Sequence, residues 1–155
     1  MPEARRLAII GYGKMGRLIE QLAPEYGFTV TLRLDEFNNT NYEGVTAENF
    51  RGIDVAVDFS IPAAVVENVE RISALGVSIV VGTTGWTEHL ARVQSAVEKR
   101  GIGGSVSIEN HRIKLREELA VESFHGALQI RFRHHAAEVQ QRSALRNHAN
   151  VNRLQ

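Results

Sequence analysis

The sequence predicts an α/β fold, a parallel sheet covered by helices on both faces. Three observations predict it. Short aliphatic runs at 7–10 (LAII), 28–34 (FTVTLRL), 53–59 (IDVAVDF) and 77–81 (VSIVV) alternate with stretches of helical periodicity. Strands that alternate with helices pair in parallel through right-handed crossovers. The first run leads directly into Gly11-Tyr12-Gly13-Lys14-Met15-Gly16 and then a helix from Arg17 to about Ala23. G-x-G-x-x-G between strand and helix is the fingerprint of a Rossmann-like, doubly wound dinucleotide-binding sheet. The run at 77–81 is apolar on both sides of Ser78, the pattern of a strand buried on both faces.

Each glycine of the fingerprint has a mechanical task. Gly11 permits the tight turn, Gly13 leaves room for a pyrophosphate against the backbone, and Gly16 lets the helix lie close to the strand. The unpaired N–H groups and positive dipole end of the helix then face the phosphates. The second strand follows Gly27 and ends at Asp35, nineteen residues past Gly16. A carboxylate there hydrogen-bonds the adenosine ribose and favours NAD, whereas Arg33 and Lys14 are cations within reach of the 2′-phosphate of NADP. The cofactor expected is therefore NADH or NADPH.

Residues 36–43 (EFNNTNYE) read as a polar loop and 46–51 as a single helical turn. Ser60-Ile61-Pro62 opens the next helix, with Ser60 as cap and Pro62 in the first turn. Val65, Val69 and Ile72 form its inner face and Gly76 ends it. Gly82-Thr83-Thr84-Gly85-Trp86 follows the fourth strand, and its hydroxyls and N–H groups suit a carboxamide or a second phosphate. Thr87 caps a helix with Leu90, Val93 and Val97 inside, ending at Gly101. Beyond it, 103–108 reads as a fifth strand, 113–121 has helical composition, and 127–133 (ALQIRFR) alternates as a half-buried strand before an alanine- and glutamine-rich tail. The predicted domains are a dinucleotide-binding domain over 1–104 and a short C-terminal strand and helix appendage over 105–155.

Composition excludes several functions. With 18 basic and 18 acidic residues in 155, the chain has no net charge to draw it to nucleic acid or to an anionic membrane. After Glu122 the only acid is Glu138, against five arginines, so the C-terminal segment is locally basic. Arg131 and Arg133 lack the neighbouring aromatics that stack bases. There is no cysteine, which removes disulfides and thiolate chemistry and suits a reducing cytoplasm. No apolar run is long enough to span a membrane, and the N-terminus lacks a signal peptide's pattern. No metal-ligand spacing or nucleophile elbow occurs. His134 and His135 are the weak candidates for an acid or base, since neighbours on a strand point to opposite faces.

Three motifs in order carry a resemblance: Gly11-Tyr12-Gly13-Lys14-Met15-Gly16, Val57-Asp58-Phe59-Ser60-Ile61-Pro62 and Val81-Gly82-Thr83-Thr84-Gly85-Trp86. From residue 5 to about residue 100 the chain resembles the N-terminal domain of the dihydrodipicolinate reductase (4-hydroxy-tetrahydrodipicolinate reductase) family of bacterial lysine and diaminopimelate synthesis. The resemblance implies that Gly11–Gly16 hold the pyrophosphate and Asp35 the ribose, with Gly82, Thr83 and Thr84 beside the nicotinamide. It adds Phe59 and Ser60 to the cofactor site, and Asn110 as the counterpart of the family's Asn-Phe-Ser asparagine. The family's substrate domain carries a His-His-x-x-Lys and a Pro-Ser-Gly-Thr segment. Here the lysines are Lys14, Lys99 and Lys114, and His134-His135 is followed by Ala136-Ala137-Glu138. Residues 124–136 resemble instead the family's closing strand.

The implied function is an NAD(P)H-dependent reductase acting on a small dicarboxylate, with impaired or absent catalysis in this chain. The alternatives are a non-catalytic NAD(P)-binding module or a truncated or engineered cofactor-binding fragment. The amphipathic strand at 128–133 predicts a homo-oligomer joined through about residues 105 to 135.

Overall fold

The computed structural model describes residues 4–100, 104–108 and 111–116, the last two stretches by backbone alone. A six-stranded sheet is ordered β2-β1-β3-β4-β5-β6. The strands are β1 (Arg5–Ile10), β2 (Phe28–Leu34), β3 (Val55–Asp58), β4 (Ser78–Val81), β5 (Gly104–Ile108) and β6 (His111–Arg116). Strands β1 to β5 pair in parallel, and β6 returns antiparallel to β5. The helices are α1 (Lys14–Leu22), α2 (Pro62–Ala74) and α3 (Leu90–Arg100).

Alternation along the strands divides the core into two layers. Leu7, Ile9, Val55, Val57 and Val80 join Ile19 of α1, Ala23 and Phe28 on one face. Ala8, Ile10, Ala56, Ile79 and Val81 join Val65, Val69 and Ile72 of α2 and Val93 and Val97 of α3 on the other. The predicted inner faces of α2 and α3 are thus the observed ones. Glu70 and Arg92 tie these two helices by a two-pronged ion pair, at 2.6 and 2.7 Å.

Local differences from the sequence expectations have physical causes. Helix α1 begins at Lys14 rather than Arg17, because Gly13 already serves as its N-cap and Gly16 lies in the first turn against β1. Ser60 does not cap α2. Ile61 occupies the cap position, and the Ser60 hydroxyl donates to Asp58 instead. Thr87 opens a 3-10 turn whose cap is Trp86, with no side-chain cap bond. Residues 46–51 make turns, closed by Phe50 N–H to the Thr46 carbonyl at 3.0 Å. The helical reading of 113–121 is overturned over 113–116, which belong to β6 and pair with β5. Helix propensities differ by only tenths of a kcal/mol per residue, too little to outweigh a sheet ladder. The strand read at 127–133, the tail and residues 117–121 lie outside the described residues.

Ile72 is fully buried between α2 and the sheet. Ile72→Ala should therefore lower unfolding stability by about 2–5 kcal/mol, measured by urea denaturation. A loss below about 0.5 kcal/mol, the level of a surface change, would contradict the core described here.

Candidate functional site: a cleft at the sheet's switch point

From β1 the chain crosses to β2 on one side and later to β3 on the other. The carboxyl ends of β1 and β3 therefore diverge into a crevice, the place where open α/β sheets bind ligands. A cleft of about 730 Å³ lies there, lined by residues from the three strand ends and the loops that follow.

The glycine loop is clasped from both sides. The N–H groups of Gly11 and Tyr12 both donate to the Leu34 carbonyl, at 2.8 and 3.0 Å, and the Phe59 N–H donates to the Ile10 carbonyl at 2.8 Å. Gly11 has a φ of +84°, and a Cβ on it would lie 2.5 Å from the Phe59 and Ser60 backbone. No side chain fits. A Cβ on Gly16 would lie 2.8 Å from the Gly11 carbonyl oxygen, so this glycine sets the close approach of α1 to β1. A Cβ on Gly13 would meet nothing within 4 Å. That opening, beside the first N–H groups of α1, is the space an anion needs.

Asp35 follows β2 at the cleft rim. Its Oδ1 accepts from the N–H groups of Phe37 and Asn38, at 2.8 and 3.1 Å, in an Asx turn. The Asn38 side chain closes the turn on the Asp35 N–H and the Arg33 carbonyl. Oδ2 of Asp35 has no partner among the described residues. Tyr12 also lines the cleft. Its hydroxyl donates to Glu20, whose other oxygen accepts from Arg33, and these bonds hold the Glu20 carboxyl below its ordinary range and the Tyr12 hydroxyl above its own.

Asp58, at the end of β3, is completely buried. Oδ1 accepts from the Ser60 N–H and hydroxyl, at 2.8 and 2.6 Å, and Oδ2 from Asn68 Nδ2 at 2.9 Å. Burial raises its pKa, and these bonds oppose the rise without cancelling it. The Thr83 hydroxyl donates to the Ser60 carbonyl at 3.2 Å, and Trp86 Nε1 donates to the Thr83 carbonyl at 2.7 Å. Thr83 is thus buried and ties the β4 loop to the β3 loop, whereas Thr84 is exposed. A Cβ on Gly82 would strike the Phe59 ring at 2.3 Å.

Gly11, Tyr12, Gly13, Asp35, Phe59 and Ser60 therefore share one cleft. Lys14, Met15 and Gly16 form the first turn of α1 beside it, while Gly82 packs against the Phe59 ring and neither it nor Thr83 nor Thr84 lines the cleft. Asn110, His134 and His135 lie outside the described residues. Sequence reasoning missed Arg17, Phe37, Ile61 and Asn68, all in the cleft lining. Arg17 stands one helical turn after Gly13, and Asn68 is a polar residue on the apolar stripe of α2, so both carried a signal. Phe37 and Ile61 are exposed apolar side chains, 85% and 65% accessible, with no periodicity to mark them.

The family described as dihydrodipicolinate reductase, N-terminus, matches residues 5–110. The chain belongs to this family. It is 32% identical over 93 residues to 4-hydroxy-tetrahydrodipicolinate reductase of Christiangramia forsetii, covering 60% of this chain and 37% of the relative. It is 35% identical over 95 residues to the Bifidobacterium longum reductase, covering 59% and 36%. With the Corynebacterium aurimucosum reductase the identity is 43% over 63 residues, covering 40% and 25%. The matched segment thus spans little more than a third of the first two relatives. The chain carries the N-terminal module of a reductase family, and the glycine loop, Asp58 and the β4 loop all fall inside the matched residues. Among the described residues, no helix is long and apolar enough to cross a membrane.

Asp58→Asn tests the buried carboxyl. The native pKa stands above the unfolded value of about 3.9, so the native state holds its proton when the unfolded chain has released it. Stability of the parent relative to Asp58→Asn should therefore fall as pH rises from about 4 through the raised pKa, then level off. Denaturation at a series of pH values measures it. A relative stability that rises over this window would show that the hydrogen bonds, not burial, dominate.

Proposed function

We propose that this chain binds a reduced nicotinamide dinucleotide, NADH or NADPH, in the switch-point cleft, as the cofactor module of a reductase of the 4-hydroxy-tetrahydrodipicolinate type. The observation that carries the reading is the open face of Gly13, beside free helix N–H groups and within one cleft with Asp35. The pyrophosphate lies against Gly11–Gly16, and Asp35 receives the ribose hydroxyls through the oxygen its turn leaves free. The family resemblance assigns Gly82, Thr83, Thr84 and Asn110 to the nicotinamide half. The Asp58–Ser60–Thr83 bonds hold the β3 and β4 loops in register for it.

Hydride transfer to a small dicarboxylate also needs cations on its carboxylates and a proton donor at the reacting carbon–nitrogen unit. The cofactor supplies the hydride. His134 and His135 are the weak acid or base candidates, and neither is followed by the family's lysine. These 155 residues by themselves therefore bind cofactor but turn over slowly or not at all, which also favours the second reading, a non-catalytic NAD(P)-binding module. In either reading the setting is the reducing cytoplasm, which a cysteine-free chain suits. The two domains are the dinucleotide-binding residues 1–104 and the segment 105–155, with the boundary inside β5, whose sheet runs on to β6. Self-association runs through about residues 105 to 135, supported by the alternating pattern at 127–133 and by β6, one of the two edge strands among the described residues.

Three measurements test this. Gly13→Val fills the space over the helix N-terminus and should abolish NADH binding by calorimetry while the circular dichroism spectrum is unchanged. Asp35→Ala should weaken NADH by about 1–3 kcal/mol. Unchanged titrations for both variants would overturn the assignment. With enzymatically generated substrate, turnover near about 10 s⁻¹, the enzyme median, would contradict the account of catalysis. Sedimentation at tens of micromolar should show a dimer or larger species, and a monomer would refute the proposed interface.

A further inference from the structure

We infer that Glu20 sets the cofactor preference of the cleft by holding Arg33 away from it, so that the chain favours NADH over NADPH. The inference rests on the dinucleotide reading of the cleft and goes one step further, to the residue that discriminates between the two cofactors.

Arg33 sits two residues before Asp35, at the end of β2 where an NADP 2′-phosphate would stand. A phosphate there would prefer a guanidinium, whose planar fork of N–H donors matches it. Yet Arg33 does not line the cleft, although Tyr12 and Asp35 on either side do. Its Nε donates to Glu20 Oε1 at 2.7 Å, Nη2 donates to the same oxygen, and Nη2 also lies 3.3 Å from the Val30 carbonyl oxygen. The second Glu20 oxygen accepts from the Tyr12 hydroxyl. One carboxylate on α1 thus neutralises Arg33 and anchors both it and the Tyr12 ring, of which only the ring lines the cleft. The Arg33 guanidinium rests 5.9 Å from the centre of the Tyr12 ring.

The cleft that remains is poor for a second phosphate group. Its lining includes two carboxylates, Asp35 and Glu36, and one cation, Arg17. Arg17 lies 5.8 Å from the Tyr12 ring centre, one helical turn from Gly13, where it suits the pyrophosphate. A free ribose 2′-hydroxyl donates to Asp35 at no electrostatic cost, whereas a 2′-phosphate is repelled by it. The Arg33 and Glu20 side chains are 40% and 29% exposed. A pair so solvated adds little to stability, so its removal should change ligand preference rather than folding.

The test is calorimetric titration of the whole 155-residue chain with NADH and with NADPH. The unaltered chain should bind NADH more tightly. Glu20→Ala, which keeps helix propensity, should free Arg33 to swing past Tyr12 and move the NADPH-to-NADH affinity ratio toward NADPH by about tenfold, or about 1.4 kcal/mol. Glu20→Ala with Arg33→Ala should return the ratio to its starting value. Both nucleotides binding with an unmoved ratio in Glu20→Ala would overturn the inference alone, as would an equal shift in the double variant, which would mean that lost negative charge and not Arg33 is responsible. Tighter NADPH binding by the unaltered chain would also overturn it. Failure of the unaltered chain to bind either nucleotide would overturn the reading of the cleft, and this inference with it.

Discussion

The backbones of the β1 and β3 loops cross in near contact at Gly11. Nothing larger than hydrogen fits between this residue and the Phe59–Ser60 peptide, and its positive φ turns the chain directly into α1. The crossing follows from the strand order. β2 and β3 flank β1 on opposite sides, and the chain leaving β1 runs between their ends, bonded to Leu34 on one side and in near contact with Phe59 and Ser60 on the other. The cleft is the opening that this passage leaves, and the helix N-terminus is aimed into it by the same turn.

Two further loops depend on that crossing. Phe59 is fixed by its N–H bond to the Ile10 carbonyl, and its ring then fills the space that Gly82 leaves by having no side chain. Asp58 gathers Ser60 and Asn68 around a carboxylate removed from water, a placement tolerable only because both oxygens accept hydrogen bonds. Thr83 and Trp86 extend the chain of bonds into the β4 loop. Residues far apart in sequence thereby become a single wall, and a small change at Gly11 would be felt at Thr83. The buried orphan Oδ1 of Asn68, on a residue that also lines the cleft, is the one place among the described residues where this network meets the ligand space with an unused acceptor.

Much of this was legible from residues alone, for local reasons. β2 has the bounds its sequence predicts, because Gly27 and Asp35 bracket an alternating β-branched run. The inner faces of α2 and α3 followed from helical periodicity. The glycine loop was legible because its three constraints are steric and each demands the same residue type. The rest depended on tertiary structure. Ser60 and Thr83 look like exposed hydroxyls, one a cap and one a ligand contact, until Asp58 and the β3 carbonyls claim them. Arg33 looks like a phosphate-binding cation until Glu20, thirteen residues earlier on a helix, is placed across from it. Residues 113–116 looked helical by composition, although Ile113 and Leu115 alternate with Lys114 and Arg116, and pairing with β5 decided the matter.

The most direct test of the central claim is a crystal structure of the chain with NADH. The account places the pyrophosphate within hydrogen-bond distance of the backbone N–H groups from Gly13 into the first turn of α1, with the adenosine ribose on Asp35. Nucleotide lodged elsewhere, such as in the groove between Tyr42, Trp86 and Arg92 on the α2 side, or a glycine loop left empty at saturating NADH, would contradict it.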